Sequence, residues 1–153
     1  MIKIAILGGI GSGKSYIAKS FGHPVFNADT EVANLYKKDK KIFYKLKKEL
    51  PGYFKIFPID KKEVSRAILD NHKNLKRIIK IVHSEIRKKL KIFLKKNIKK
   101  KIVILDIPLL LENKINGKND ILVFVQSKKT DVLKKLKKRK NFNQKLLNIF
   151  KNI

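Results

Sequence analysis

Residues Gly8-Gly9-Ile10-Gly11-Ser12-Gly13-Lys14-Ser15 complete the pattern GxxxxGK[ST]. Loops of this spacing bind phosphate. Their glycines let the backbone curl so that successive N–H groups face phosphate oxygens. A helix opening directly after the loop adds the positive end of its dipole. The candidate phosphate contacts are Gly9, Gly11, Ser12, Gly13, Lys14 and Ser15, with Tyr16 immediately after them. Lys14 is placed to reach the β- and γ-phosphates of a nucleoside triphosphate, and Ser15 to put its hydroxyl on Mg²⁺.

Two carboxylates sit where a phosphate-binding fold could use them. Asp29 follows the apolar stretch Val25-Phe26-Asn27-Ala28. The carboxyl ends of parallel strands face the ligand crevice of an open α/β sheet, so Asp29 is expected on the same edge as the loop. It could take the proton of an attacking hydroxyl; equally, it could cap a helix over residues 30–37. Asp106 ends the run Lys101–Asp106. It is placed either to hold Mg²⁺, directly or through water, or to cap the turn at 108–112.

Further candidates come in pairs spaced by four. His83 and Arg87 share one face of a long helix, on the flank of its apolar stripe. By spacing alone a half-buried histidine and an arginine snorkelling to solvent is the better reading. Lys135 and Arg139 are spaced the same way on a very basic stretch. They read either as a solvated helix face or as lid cations that neutralise a transferring phosphoryl group.

The elements that must position these residues alternate between strand and helix. Apolar runs at 2–7, 24–27, 101–106 and 120–125 predict four buried parallel strands. The helical patterns between them predict an α/β fold. The interval 29–100 is helical apart from breaks at Pro51-Gly52 and Pro58. Asp60 followed by Glu63 predicts a capping box. Asn71 predicts the start of a helix running to about Asn97, close to 40 Å long. Its stripe is Leu75, Ile78, Ile79, Val82, Ile86, Leu90 and Phe93. Helices are also predicted over 128–140 and about 143–152. We expect one domain over 1–153: a core of about 1–28 and 101–127, a helical acceptor-binding region of about 29–100, and a lid with C-terminal helices over about 128–153.

Composition narrows the class. The chain has 153 residues, 43% of them hydrophobic, and no cysteine, which excludes disulfides and thiolate-bound metals. No apolar run approaches the roughly 18 residues needed to span a membrane, and the first strand leaves no room for a signal peptide. The net charge of +27 comes almost wholly from lysine. With isoleucine and asparagine also abundant, it reads as the mark of an A/T-rich genome. Few aromatics are interleaved with the lysines as stacking platforms, so dedicated nucleic-acid binding is not expected. The charge should still speed capture of a polyanionic small substrate.

Along its length the sequence resembles the dephospho-CoA kinases. The resemblance is carried by Leu7 to Ser15, by Asn27-Ala28-Asp29, and by Ile59-Asp60 followed by Val64 and Leu69. It continues in His83-Ser84-Glu85-Ile86-Arg87 and in Ile107-Pro108-Leu109-Leu110-Leu111-Glu112. It implies a P-loop kinase fold with strand order 2-3-1-4, a helical acceptor-binding insertion and a short basic lid. It implies a cytoplasmic enzyme that uses ATP and Mg²⁺ to phosphorylate the ribose 3′-hydroxyl of dephospho-CoA, the last step of coenzyme A synthesis. Asp29 would then be the general base beside Lys14, and His83 and Arg87 would hold the acceptor. The alternatives are another small-molecule P-loop kinase, such as a nucleoside monophosphate kinase, or a nucleotide-binding module without turnover.

Four positions depart from the family pattern. Ser84 replaces proline, Tyr16 replaces threonine, and Phe150 stands near an expected lid arginine. Lys135 replaces another arginine, which keeps the charge and loses the bidentate fork. The family continues for about forty residues more, with a last strand and helix framing the adenine. Four of five strands are therefore expected here, with the outer edge of the fourth open to unwanted pairing.

Overall fold

The structure is a computed structural model that describes residues 1–107, 120–138 and 142–151. Its elements run β1 (Ile2–Leu7), α1 (Lys14–Ser20), β2 (Val25–Asn27), α2 (Ala28–Lys38), α3 (Lys40–Glu49), α4 (Lys61–Asp70), α5 (Lys73–Lys96), β3 (Ile102–Asp106), β4 (Ile121–Phe124), α6 (Lys129–Lys137) and α7 (Gln144–Lys151). The four strands are parallel, in the order β2-β3-β1-β4. This is the α/β arrangement and strand order expected from the sequence.

The chain divides into two compact units. The first comprises Met1–Asp29 and Lys88–Phe142, the second Thr30–Arg87 and Asn143–Ile153. The sheet belongs to the first. Ile4, Ile6, Ala18 and Ile104 form its buried centre, with Val25, Ile102, Val123 and Val125 packed against them. The register sets Ile6 and Asn27 opposite Asp106, and Leu7 opposite Phe124. The polar strand ends therefore collect along one edge, where the glycine loop also begins. Phe93, late in α5, packs on Phe26 of β2 with ring centroids 5.5 Å apart. That contact places the end of α5 with the sheet, not with the helical region drawn from the sequence.

β4 differs from the buried strand expected. Among the described residues it is the edge of the sheet, with Ile121, Leu122 and Phe124 48%, 49% and 65% exposed. A Lys3–Asp120 ion pair of 2.9 Å fastens its approach to β1. No helix among the described residues is long and apolar enough to cross a membrane.

The second unit is helical. Asp39 caps α3 by accepting from the N–H groups of Lys41 and Ile42, and Asn71 accepts from Lys73 N at the start of α5. At about 1.5 Å per residue, α5 is roughly 36 Å long. Leu75, Ile78, Val82 and Ile86 of its stripe are buried in this unit. The capping box at Asp60 is only half formed. Asp60 accepts from Lys62 N, but the Glu63 carboxylate turns to the N–H of Lys55. The segment before the helix folds back and offers Glu63 a donor other than the one at Asp60.

α2 starts directly from β2, one residue before Asp29. Asp29 is thus inside the first turn of the helix rather than its cap. A carboxylate there is favoured by the helix dipole.

Candidate functional site

The phosphate loop leaves β1 and enters α1 as the spacing requires. Gly8, Gly11 and Gly13 all have positive φ, at 145°, 81° and 95°. Ser12 N–H donates to Gly9 O at 3.2 Å, closing the turn, and Tyr16 and Ile17 N–H donate to Gly13 O as the helix begins. The N-cap residue is Gly13, which has no side chain to cap this first turn. Lys14 arches back over the loop, its Nζ donating to Gly8 O at 2.8 Å and Gly9 O at 3.0 Å. The ammonium group is thus already held across the loop by neutral carbonyls, from which a phosphate can draw it. Tyr16 is 79% exposed.

Beside the loop lies a polar cluster formed by the ends of β2 and β3 and the start of α1. Ser15 Oγ donates to Asp106 Oδ2 at 2.6 Å. Asn27 Nδ2 donates to the same carboxylate oxygen and lies 3.2 Å from Ser15 Oγ. Asp106 is 4% exposed, and a buried carboxylate needs such donors. The donor set also suits Mg²⁺. Ser15 donates to Asp106 and accepts from Asn27, which leaves its oxygen a lone pair for a hard cation, and both groups are oxygen ligands of the kind Mg²⁺ prefers. Ser12 provides a further polar group: its Oγ is buried, with no hydrogen-bond partner among the described residues.

The expected residues fall in both compact units. Lys14, Ser15, Asp29 and Asp106 all lie in the first. Asp29 is exposed and two residues past Asn27. Lys135 is on α6 in the same unit, exposed to solvent. His83 and Arg87 lie in the second unit, on one face of α5. His83 is half-buried. Its pKa is lowered first by that burial and then by the Arg87 guanidinium, both of which favour the neutral imidazole. Arg139 and the element Pro108–Glu112 lie outside the described residues.

Asn27 and Ser127 are the residues whose contribution was not foreseen as such. Asn27 had a signal, being a polar residue at the end of an apolar strand in an α/β sheet. Ser127 had none: it lies 115 positions from Ser12, whose carbonyl its Oγ meets at 2.8 Å.

Comparison with known proteins agrees with this geometry. A sequence model of the CoaE dephospho-CoA kinases matches residues 2–151. The dephospho-CoA kinase of Wolbachia from Brugia malayi is 37% identical over 155 residues, an alignment covering 98% of this chain and 79% of the relative. That of Wolbachia pipientis wMel is 36% identical with the same coverage. Among solved structures, TT1252 from Thermus thermophilus superposes with a TM-score of 0.71 at 26% identity, covering 99% of this chain and 78% of its own. Dephospho-CoA kinase from Campylobacter jejuni has the same fold, with a TM-score of 0.54 at 24% identity and coverage of 98% and 80%. With glycine loop, strand-end carboxylate and strand order all in place, the chain belongs to the dephospho-CoA kinase family.

Proposed function

We propose that this chain transfers the γ-phosphoryl group of ATP to the 3′-hydroxyl of the dephospho-CoA ribose, giving coenzyme A and ADP. The observation that carries the reading is the cluster of Ser15, Asn27 and Asp106 beside a glycine loop already spanned by Lys14. Phosphoryl transfer asks little covalent chemistry of the protein; positioning and charge neutralisation dominate. Backbone N–H groups from Gly9 to Ser15 hold the phosphates. Lys14 leaves the Gly8 and Gly9 carbonyls for the β/γ oxygens.

Ser15 and Asp106 are the residues that would hold Mg²⁺, directly or through water. Bound there, the ion would neutralise phosphate charge. Asp29 accepts the proton of the 3′-hydroxyl as its oxygen bonds to the γ-phosphorus and the bond to the β,γ-bridging oxygen breaks. ADP departs with that oxygen. His83 and Arg87 hold the acceptor, the arginine by charge and the neutral imidazole by hydrogen bonding. Lys135 and Arg139 add positive charge from the lid. The place of work is the cytoplasm.

The test is ADP release with ATP, Mg²⁺ and dephospho-CoA, beside Lys14→Ala, Asp29→Asn and an AMP acceptor control. Release that needs Lys14 and dephospho-CoA, and falls at least about a hundredfold in Asp29→Asn, is expected. Near-normal turnover of Asp29→Asn beside a dead Lys14→Ala would refute the base assignment. Preference for AMP would favour a nucleoside monophosphate kinase.

A further inference from the structure

The phosphate loop is held from its flank by residues that lie outside every motif in the chain. One residue past the last paired position of β4, Val125 N–H donates to Leu7 O at 2.7 Å. The chain then turns, and the Ser127 hydroxyl donates to the carbonyl of Ser12 at 2.8 Å. α6 follows and lays Val132 and Leu136 against the loop tip. A Cβ added to Gly11 would meet side-chain carbons of both at 3.1 Å, and Leu136 is only 4% exposed. The segment bearing Ser127 is therefore fixed to the loop at both ends, by a backbone rung before it and by apolar packing after it.

The Ser127 contact has a directional effect. The C=O and N–H of a trans peptide point to opposite sides. Drawing the Ser12 carbonyl towards Ser127 turns the N–H of Gly13 to the other side of that same peptide. A half-rotation would reverse the two and set a partly negative oxygen where a donor is wanted. Local sterics resist such a rotation weakly on its far side, because one of its two axes is the φ of Gly13, a residue with no Cβ. The Ser12 side chain does not oppose it either, since its Oγ makes no hydrogen bond among the described residues. The choice is left to a hydrogen bond from outside the loop.

We propose that Ser127 is a positioning residue for nucleotide binding: its hydroxyl locks the Ser12–Gly13 peptide in the orientation that offers the Gly13 N–H to the phosphates. The identity of the nucleotide rests on the kinase reading above; the locking does not.

Unmodified chain, Ser127→Ala and Ser127→Thr are compared by equilibrium titration with ADP and by steady-state kinetics. Loss of the orienting hydrogen bond is expected to weaken ADP binding and to raise KM for ATP about five- to tenfold. KM for dephospho-CoA stays within about twofold, and threonine, which keeps the hydroxyl, restores ADP affinity. Unchanged ADP affinity in Ser127→Ala overturns the proposal. So does an equal loss in Ser127→Thr, or a loss shared equally by both substrates, because either would mark general packing and not the hydroxyl. The titration needs no acceptor. Ser127-dependent ADP binding without transfer to dephospho-CoA would refute the kinase reading and leave the positioning role standing.

Discussion

Gly8 and Gly9 are neighbours in sequence and opposites in what they tolerate. Gly8 has φ of 145°, and a Cβ placed on it would lie 2.4 Å from the Val125 carbonyl oxygen and 2.8 Å from Ser12 Oγ. The same atom on Gly9 would have nothing within 4 Å among the described residues. In Gly8→Ala the Val125 backbone must retreat by at least about 0.6 Å to reach a tolerable contact. Such a shift stretches the Val125-to-Leu7 hydrogen bond from 2.7 Å towards the limit of a real one. Losing that bond costs about 1 kcal/mol, and holding alanine at this φ costs about 1–2 kcal/mol more. A total of about 2–3 kcal/mol lowers the Tm of a chain this size by roughly 5–10 °C. Gly9→Ala should stay within about 0.5 kcal/mol of the parent. Thermal unfolding followed by circular dichroism compares the two. Equal melting temperatures for both variants would refute the close approach of β4 to the start of the loop, and with it the flank support on which the Ser127 argument depends.

Two further outcomes follow from the polar residues. Asp106→Asn keeps the shape but turns an acceptor of two hydrogen bonds into a group that also donates. It should raise the Mg²⁺ concentration for half-maximal activity and lower kcat/KM more than about tenfold; an unchanged Mg²⁺ titration would remove Asp106 from the ion's surroundings. His83 titrates below its ordinary range in the folded chain because burial, and then Arg87, disfavour its charge. Its contribution to stability is therefore fully present above about pH 6.5 and is lost as pH falls through that value towards the lower folded pKa. Urea unfolding between pH 7 and 5 should show a shallower acid loss in His83→Gln than in the parent, and identical slopes would contradict the burial argument.

How much of this was legible in the sequence depended on the range of the interaction. β1, β3 and the long α5 were readable because each carries its own pattern, an apolar run or a stripe at three- and four-residue steps. The glycine loop was readable because its geometry is encoded within eight residues. Asp29 was harder: a carboxylate after an apolar run looks like a helix cap, and nothing local says that β2 passes into α2 without a loop. Glu63 misled for a related reason, since the N–H that it takes belongs to Lys55, eight residues earlier. The contacts of Ser127 with Ser12, and of Phe93 with Phe26, could not be read at all. Each joins residues that only the folded sheet makes neighbours.

The strand order explains why contacts from two other strands converge on the loop. β1 lies between β3 and β4, so the loop leaving it has a strand end on either side. β3 gives Asp106 on one side, to which Ser15 and Asn27 donate. β4 gives Val125 and Ser127 on the other, which hold Leu7 and Ser12. Because every strand is parallel, all these ends fall on one edge. The two flanks do different work. The β3 side supplies oxygen ligands and negative charge suited to a metal ion, whereas the β4 side supplies a neutral hydroxyl and apolar packing that fix backbone direction. A defect on the β3 side should therefore alter metal dependence, and one on the β4 side should alter nucleotide affinity at saturating Mg²⁺. If Asp106→Asn and Ser127→Ala moved both quantities equally, this division between the two flanks would be wrong.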